Sequence, residues 1–390
     1  MAGMASEREI SRFGIDPGTG SDPARFCFFD ARRLSMQSNQ HQIVSLTGLR
    51  GVAAGWVMLM HFREITPTRV WQYPILDPLI ANGAYGVDIF FVLSGFILCH
   101  VYADSFRNGV SVEQARQFIL YRFARIYPVH LVTFAFMLVL LAVKLVTSGD
   151  TGLPGRYDPL TILTTLTLTH AWIPGIQTPN MPAWSISAEW LAYLLFPVLS
   201  YFISHIRGVM GLYFAIGLAL AFFQPLGNYC LTHVLSGFLV GMAAYRAMPA
   251  LSRIRIGRYT GFGLTAAIVL WAQGTAPPIA VGLLLFAVLI VVLASPRDMV
   301  SGVLSMRAIV YLGEISYSLY MVHWPARIVV RNALQTFGVL DSLPAPVVVS
   351  AYLVAALAAA VVSFHLVELP SRALLRRRSA TGARADRLRA

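Results

Sequence analysis

Apolar runs recur along the chain at about 44–62, 84–102, 128–148, 186–204, 209–224, 230–246, 259–273, 277–294, 310–333 and 346–367. By length each is a candidate helical crossing of a bilayer, since ~20 apolar residues in an α-helix cover its hydrocarbon core. They predict an all-α polytopic membrane bundle of about ten transmembrane helices. The stretch TILTTLTLTHAWI at 160–172 is short and rich in threonine, and is expected to lie at the interface or re-enter rather than cross. Residues 1–42 are polar and hold no apolar run long enough for a signal peptide's central region. They are expected to form a disordered cytoplasmic arm, with Met36 as an alternative start. The membrane domain is then 43–370, and 371–390 an Arg-rich cytoplasmic tail.

Composition strengthens this reading. The chain is 57% hydrophobic and only 12% charged, which excludes a soluble enzyme. The net charge of +12 would suit nucleic acid, but the arginines sit in short clusters between apolar runs, as the positive-inside rule requires. With the N-terminus inside, one side collects the five arginines of the arm, then Arg107, Arg116, Arg122 and Arg125, Arg207, Arg246, Arg253, Arg255 and Arg258, and Arg297 and Arg307. Seven more follow Pro370, whereas the other side holds Arg63, Arg69, Arg156 and Arg331. Both termini are therefore expected in the cytoplasm, and the chain in the cell membrane as a multi-pass protein. Cys27, Cys99 and Cys230 have no metal-ligand spacing, so neither a disulfide framework nor a metal site is expected.

The first run, VSLTGLRGVAAGWVMLMHF, carries Arg50 and ends near His61. Eleven helical steps of ~100° bring these two onto one face roughly 16 Å apart. An ionised arginine inside a bilayer costs a few kcal/mol and needs a partner or a purpose; the bland alternative is that Arg50 snorkels and His61 is interfacial. Alternating topology gives each polar residue a depth. Arg50 falls in an inner half, with Arg122, Arg125 and Tyr127 of YRFARIYP near its level, while His61, Asp88 and Glu189 fall towards the outer face. Ser94 and His323, the latter beside Pro325 in SYSLYMVHWP, are further candidates for structural or substrate contacts. Arginine forks suit a phosphorylated ligand, and a histidine with a carboxylate suits general-base activation of a hydroxyl. There is no phosphate-binding glycine loop and no G-x-S-x-G elbow. These residues thus predict a phosphorylated donor held inside and a proton moved near the outside.

The arginine eleven residues before a histidine in LTGLRGVAAGWVMLMHF, then GVDIFFVLSGFIL, RFARIYP, AWSISAEW and SYSLYMVHWP, in this order, resemble the acyltransferase 3 family of integral-membrane acyltransferases. The resemblance covers about residues 42–372. It implies a ten-helix bundle that moves an acyl group, commonly acetyl, from acyl-coenzyme A (acetyl-CoA) to a hydroxyl of a carbohydrate in a surface or secreted glycan, or of another small acceptor. The family's arginine and histidine fall on Arg50 and His61, its paired arginines on Arg122 and Arg125, its acidic residue on Glu189, its aspartate on Asp88 and its late histidine on His323. Where many members follow the glutamate with a second acidic or glutamine residue, this chain has Trp190, which bears on the acceptor pocket.

On this map of depths, coenzyme A is expected to dock its phosphates from the cytoplasm on Arg122 and Arg125, with Arg50 as a further candidate, and to thread its pantetheine arm into the bundle. His61 then either deprotonates the acceptor or carries the acyl group transiently, while Asp88 or Glu189 holds its tautomer. Trp71, Tyr73 and Trp172 in the outer loops would suit a sugar ring or the membrane interface equally. A carrier or flippase, or a silent scaffold of a glycan-export complex, is the alternative, although residues 44–204 and 209–367 show no repeat of the kind common in carriers. Beyond acyl-CoA, the acceptor and the lipid bilayer no partner is implied, and no oligomeric state.

Overall fold

The computed structural model describes residues 43–64, 66, 74–148, 155–206, 208–222, 229–251, 256–340 and 342–374. The predicted arm at 1–42, Trp71 and Tyr73, and residues 375–390 of the tail lie outside them. Among the described residues there is no strand. The helices are α1 (Val44–Arg63), α2 (Leu76–Ala81), α3 (Tyr85–Tyr102), α4 (Val112–Ser148), α5 (Pro159–Leu166), α6 (Ala183–His205) and α7 (Val209–Phe222). They continue with α8 (Tyr229–Leu251), α9 (Thr260–Trp271), α10 (Ile279–Leu293), α11 (Met299–Leu304), α12 (Arg307–Glu314), α13 (Ser316–Thr336) and α14 (Ala345–Ser363). Each apolar run of the sequence is thus a helix or a helix pair. Among the described residues, four helices are both long and apolar enough to cross a membrane: α3, α4, α6 and the one formed by α14 and its continuation.

Three boundaries differ from the apolar pattern for local reasons. Helix α4 starts at Val112, well before its apolar run, because Glu113, Gln114, Arg116 and Gln117 are polar yet good helix formers. At 37 residues it is ~55 Å long, and it carries Arg122 and Arg125 on the same rod as the apolar segment. The run at 310–333 divides at Ile315 into α12 and α13. Helix α14 passes through a π-turn at Phe364–Glu368 and continues to Leu374, so the first four residues of the predicted tail are helical. The threonine-rich stretch is the eight-residue α5, capped by Asp158, which accepts from the Thr161 amide at 2.7 Å, followed by a 3-10 turn at His170–Trp172. Eight residues rise only ~12 Å, too little to cross.

Small residues let the helices touch at their backbones, the usual solution where lipid offers no hydrophobic drive between helices. A Cβ on Gly95 of α3 would lie 2.1 Å from the Phe238 carbonyl oxygen, and one on Gly241 of α8 would lie 2.0 Å from that of Val92. Gly48 and Gly51 of α1 press likewise on Leu304 and on α12, whose Gly313 faces the Thr47 carbonyl. On α4, by contrast, Val132, Phe136, Val139, Val143 and Val146 are exposed at alternating steps of four and three residues, one continuous apolar stripe suited to lipid. Pro325 inside α13 has no amide to give the Met321 carbonyl; Asn180 donates to that carbonyl at 3.0 Å instead.

Gly241→Ala is expected to lower stability by about 1–3 kcal/mol through overpacking. Gly55→Ala, with no atom within 4 Å of its new Cβ, should be neutral or stabilising, by up to ~1 kcal/mol. Thermal unfolding of the two variants in detergent checks this, and equal effects would refute the backbone contact.

Candidate active site

A cavity opens between α1, α3, α4, α6 and α13. Arg50, Arg122 and Arg125 line it together with Ser94, Glu189, Tyr317 and Tyr320, and its remaining wall is mostly apolar, including Phe90, Phe91 and Ile97. Arg122 donates to the Tyr102 hydroxyl at 2.8 Å and lies over the rings of Tyr102 and Phe118, at 5.1 and 5.7 Å from their centres. Phenol and ring faces hold a guanidinium in place without neutralising it. Glu189 accepts from Ser94 Oγ and from the Tyr193 hydroxyl, both at 2.7 Å. Its contacts are therefore with neutral donors, and the three guanidinia hydrogen-bond to no carboxylate among the described residues.

His61 lies outside that lining, with 4% of its surface exposed. Its Nδ1 faces Glu64 Oε2 at 3.3 Å. Arg327 of α13 donates to the His61 carbonyl at 2.7 Å and to the same Glu64 oxygen at 2.8 Å, tying α13 to the end of α1. Burial would raise the Glu64 carboxyl, but hydrogen bonds from His61 and Arg327 outweigh it and hold the group below its usual range. A carboxylate accepts, so in the neutral ring it is Nδ1 of His61 that carries the proton and Nε2 that offers the lone pair. The His323 ring stacks on His61 with centres 5.3 Å apart, and Trp324 meets His61 edge-on at 5.2 Å. Arg327 covers the Trp324 face at 3.9 Å. His323 Nδ1 donates to the Leu319 carbonyl at 3.2 Å, leaving its buried Nε2 without a hydrogen-bond partner.

Tyr317, Tyr320, His323 and Arg327 follow one another at steps of three, three and four residues, which sets them along one face of α13. Tyr317 and Tyr320 belong to the cavity, His323 and Arg327 to the surroundings of His61. One helix face therefore connects the two places.

The structure brings five predicted residues to the cavity: Arg50, Arg122, Arg125, Glu189 and Ser94. His323 joins His61. Tyr127 instead stacks on Phe123 at 4.3 Å, away from the cavity lining. The expected pairing of His61 with Asp88 or Glu189 is replaced by Glu64. Asp88, in the first turn of α3, faces α8, where its Oδ1 meets His233 Nε2 at 2.5 Å; both side chains are buried. Glu189 shares the cavity with the arginines rather than the level of His61, because α6 begins beside the cavity and Ser185, one turn before Glu189, already lines it. Sequence reasoning passed over Glu64, although a residue three positions after His61 returns to its face of a helix. It also passed over His233, Arg327 and Tyr320, whose roles depend on which helices meet. Glu368 is buried in the π-turn, where it accepts from Ser318 at 2.6 Å and from Arg372. Trp172 donates its indole N–H to the Ser187 carbonyl at 2.9 Å.

Residues 43–365 match the family described as an acyltransferase domain, acyltransferase 3. The acyltransferase MdmB of Streptomyces mycarofaciens is 34% identical over 161 residues, 40% of this chain and 39% of MdmB. Protein 2 in the picA locus of Rhizobium radiobacter is 33% identical over 124 residues, 32% of this chain and 56% of that protein. The exopolysaccharide production protein ExoZ of Rhizobium meliloti is 28% identical over 333 residues, 76% of this chain and 90% of ExoZ. The chain thus spans less than half the length of MdmB and little more than half that of the picA-locus protein. No solved structure matches. With a family match over nearly all of the helical bundle, the chain belongs to the acyltransferase 3 family.

Proposed function

We propose that the protein is an integral-membrane O-acyltransferase that moves an acyl group, commonly acetyl, from acyl-coenzyme A to a hydroxyl of a carbohydrate acceptor. The observation that carries this reading is the cavity lined by Arg50, Arg122 and Arg125 with no carboxylate hydrogen-bonded to any of them among the described residues. Guanidinia brought together in an apolar bundle repel one another, and an anion with several phosphate oxygens relieves that repulsion while using their forked donors. The arginine asymmetry of the loops supports a cytoplasmic donor, cytoplasmic termini and a multi-pass position in the cell membrane. The match to ExoZ, named for exopolysaccharide production, supports a glycan acceptor.

In this reading the acceptor hydroxyl gives its proton to His61 Nε2 as its oxygen attacks the thioester carbonyl. The C–S bond then breaks, and the coenzyme A thiolate leaves and takes that proton. Glu64 holds the Nδ1 proton and stabilises the imidazolium, with Arg327 fixing the carboxylate. The role earlier expected of Asp88 passes to Glu64, and Asp88 with His233 secures the α3–α8 contact. Glu189 positions Ser94 and Tyr193 on the cavity wall.

With radiolabelled acetyl-CoA and purified protein in detergent, His61→Ala is expected to lower acyl transfer by ~10²–10⁴-fold while leaving donor affinity unchanged. Intact transfer in a folded preparation would sink the mechanism, and a carrier would show no transfer or hydrolysis at all. Arg122→Ala should weaken acyl-CoA binding by ~10-fold or more, the loss of a charge-assisted hydrogen bond; an unchanged affinity counts against phosphate docking. Asp88→Ala strips a buried histidine of its partner and should cost ~3–5 kcal/mol of stability, read by thermal unfolding. A folded Asp88→Ala protein of normal stability that had lost transfer would return Asp88 to the chemistry.

A further inference from the structure

The Tyr320 side chain borders both the cavity and the surroundings of His61. Tyr320 lines the cavity, and its ring centre lies 5.9 Å from that of Phe90 and 5.9 Å from that of His323. His323 in turn stacks on His61. The Tyr320 ring is pinned at its tip: its hydroxyl donates to the Pro182 carbonyl at 3.0 Å and pairs with Ser185 Oγ at 2.7 Å. With 4% of its surface exposed and both contacts made to the start of α6, the ring cannot swing aside without breaking two buried hydrogen bonds. Phe90, also lining the cavity, meets it in a T-shaped contact that backs the wall.

We propose that Tyr320, backed by Phe90, sets the length of the acyl group this site accepts, so that Tyr320 is a specificity-determining residue for short acyl chains. The inference rests on reading the cavity as the acyl-CoA site. The arginines anchor the phosphates at one end, so the pantetheine arm runs along α13 from the level of Tyr317 towards His323. Successive positions on that face are ~4.5 Å apart along the axis. A thioester carbonyl within reach of His61 therefore has its acyl substituent beside the Tyr320 ring. An acetyl methyl needs no more room than the edge of that contact, whereas each added methylene must displace a ring held at its tip and its back. Discrimination of roughly 10-fold or more per misfitted methylene is typical of such walls.

The test measures binding, which needs no acceptor. Affinities of acetyl-CoA, butyryl-CoA and octanoyl-CoA are determined for the full-length protein in detergent and for Tyr320→Phe, Tyr320→Ala and Phe90→Ala. Each is divided by the same protein's affinity for coenzyme A without an acyl group. Wild type is expected to prefer acetyl-CoA to octanoyl-CoA by ~10-fold or more. Tyr320→Ala and Phe90→Ala should abolish or invert that preference, and Tyr320→Phe, which keeps the ring but loses the pin, should reduce it. An acetyl-to-octanoyl ratio unchanged in Tyr320→Ala and Phe90→Ala overturns the inference while leaving the donor site standing. If Tyr320→Ala fails to fold, Phe90→Ala alone decides in the same way. A wild-type protein that binds no coenzyme A derivative overturns the donor reading, and this inference falls with it.

Discussion

A guanidinium cannot be left in an apolar bundle without something to meet its charge and its donors, and this requirement organises the structure around Arg50, Arg122 and Arg125. The protein meets it only in part. Tyr102 and Phe118 hold Arg122 in place, and Glu189 shares the cavity but spends its carboxylate on Ser94 and Tyr193. What holds the cations together is the rigidity of the walls. Gly48 and Gly51 bring α1, with Arg50, against the α11–α12 region, and Gly95 and Gly241 lock α3 to α8 behind the cavity. Backbones in contact cannot drift apart to let the arginines separate, so the cavity keeps an excess of positive charge that suits a polyanionic ligand.

The second consequence is a pair of helices that run side by side from charge to imidazole. Arg50 and His61 mark the two levels on α1, and Tyr317, Tyr320, His323 and Arg327 mark the same path on α13. The ties between them are specific at the far end, where Arg327 binds both the His61 carbonyl and Glu64. That arrangement fixes which nitrogen of His61 keeps its lone pair, a property set by the neighbour of Nδ1 rather than by the histidine itself. The buried His323 ring and the Trp324 edge pack against the same imidazole.

Much of the bundle was legible in the sequence because an apolar chain makes charges conspicuous. Each apolar run became a helix, and the arginine pair Arg122 and Arg125 fell beside Arg50 as their common depth required. Other features were not legible, for physical reasons. Helix α4 begins among polar residues, where hydropathy is silent but helix propensity is not. Glu64 stands one residue beyond α1, where it reads as part of a loop although it is still within a turn of His61. Asp88 was expected beside His61 from depth alone, but depth does not give azimuth around a helix, and its partner His233 lies 145 residues away on α8. The level of Glu189 depended on where α6 starts, which the preceding segment decides by packing Ala171 and Trp172 against Ser187.

The central claim is that one path leads from the arginine cluster past Tyr320 to His61. An experimental map of the purified protein with a non-hydrolysable thioether analogue of acetyl-CoA tests it most directly. The account predicts the analogue's phosphates within hydrogen-bonding distance, ~3 Å, of Arg122 or Arg125, and its acyl end beside Tyr320 on the side of His61. Phosphates bound away from these arginines, or an acyl end directed towards Asp88 and His233 instead of His61, would contradict it.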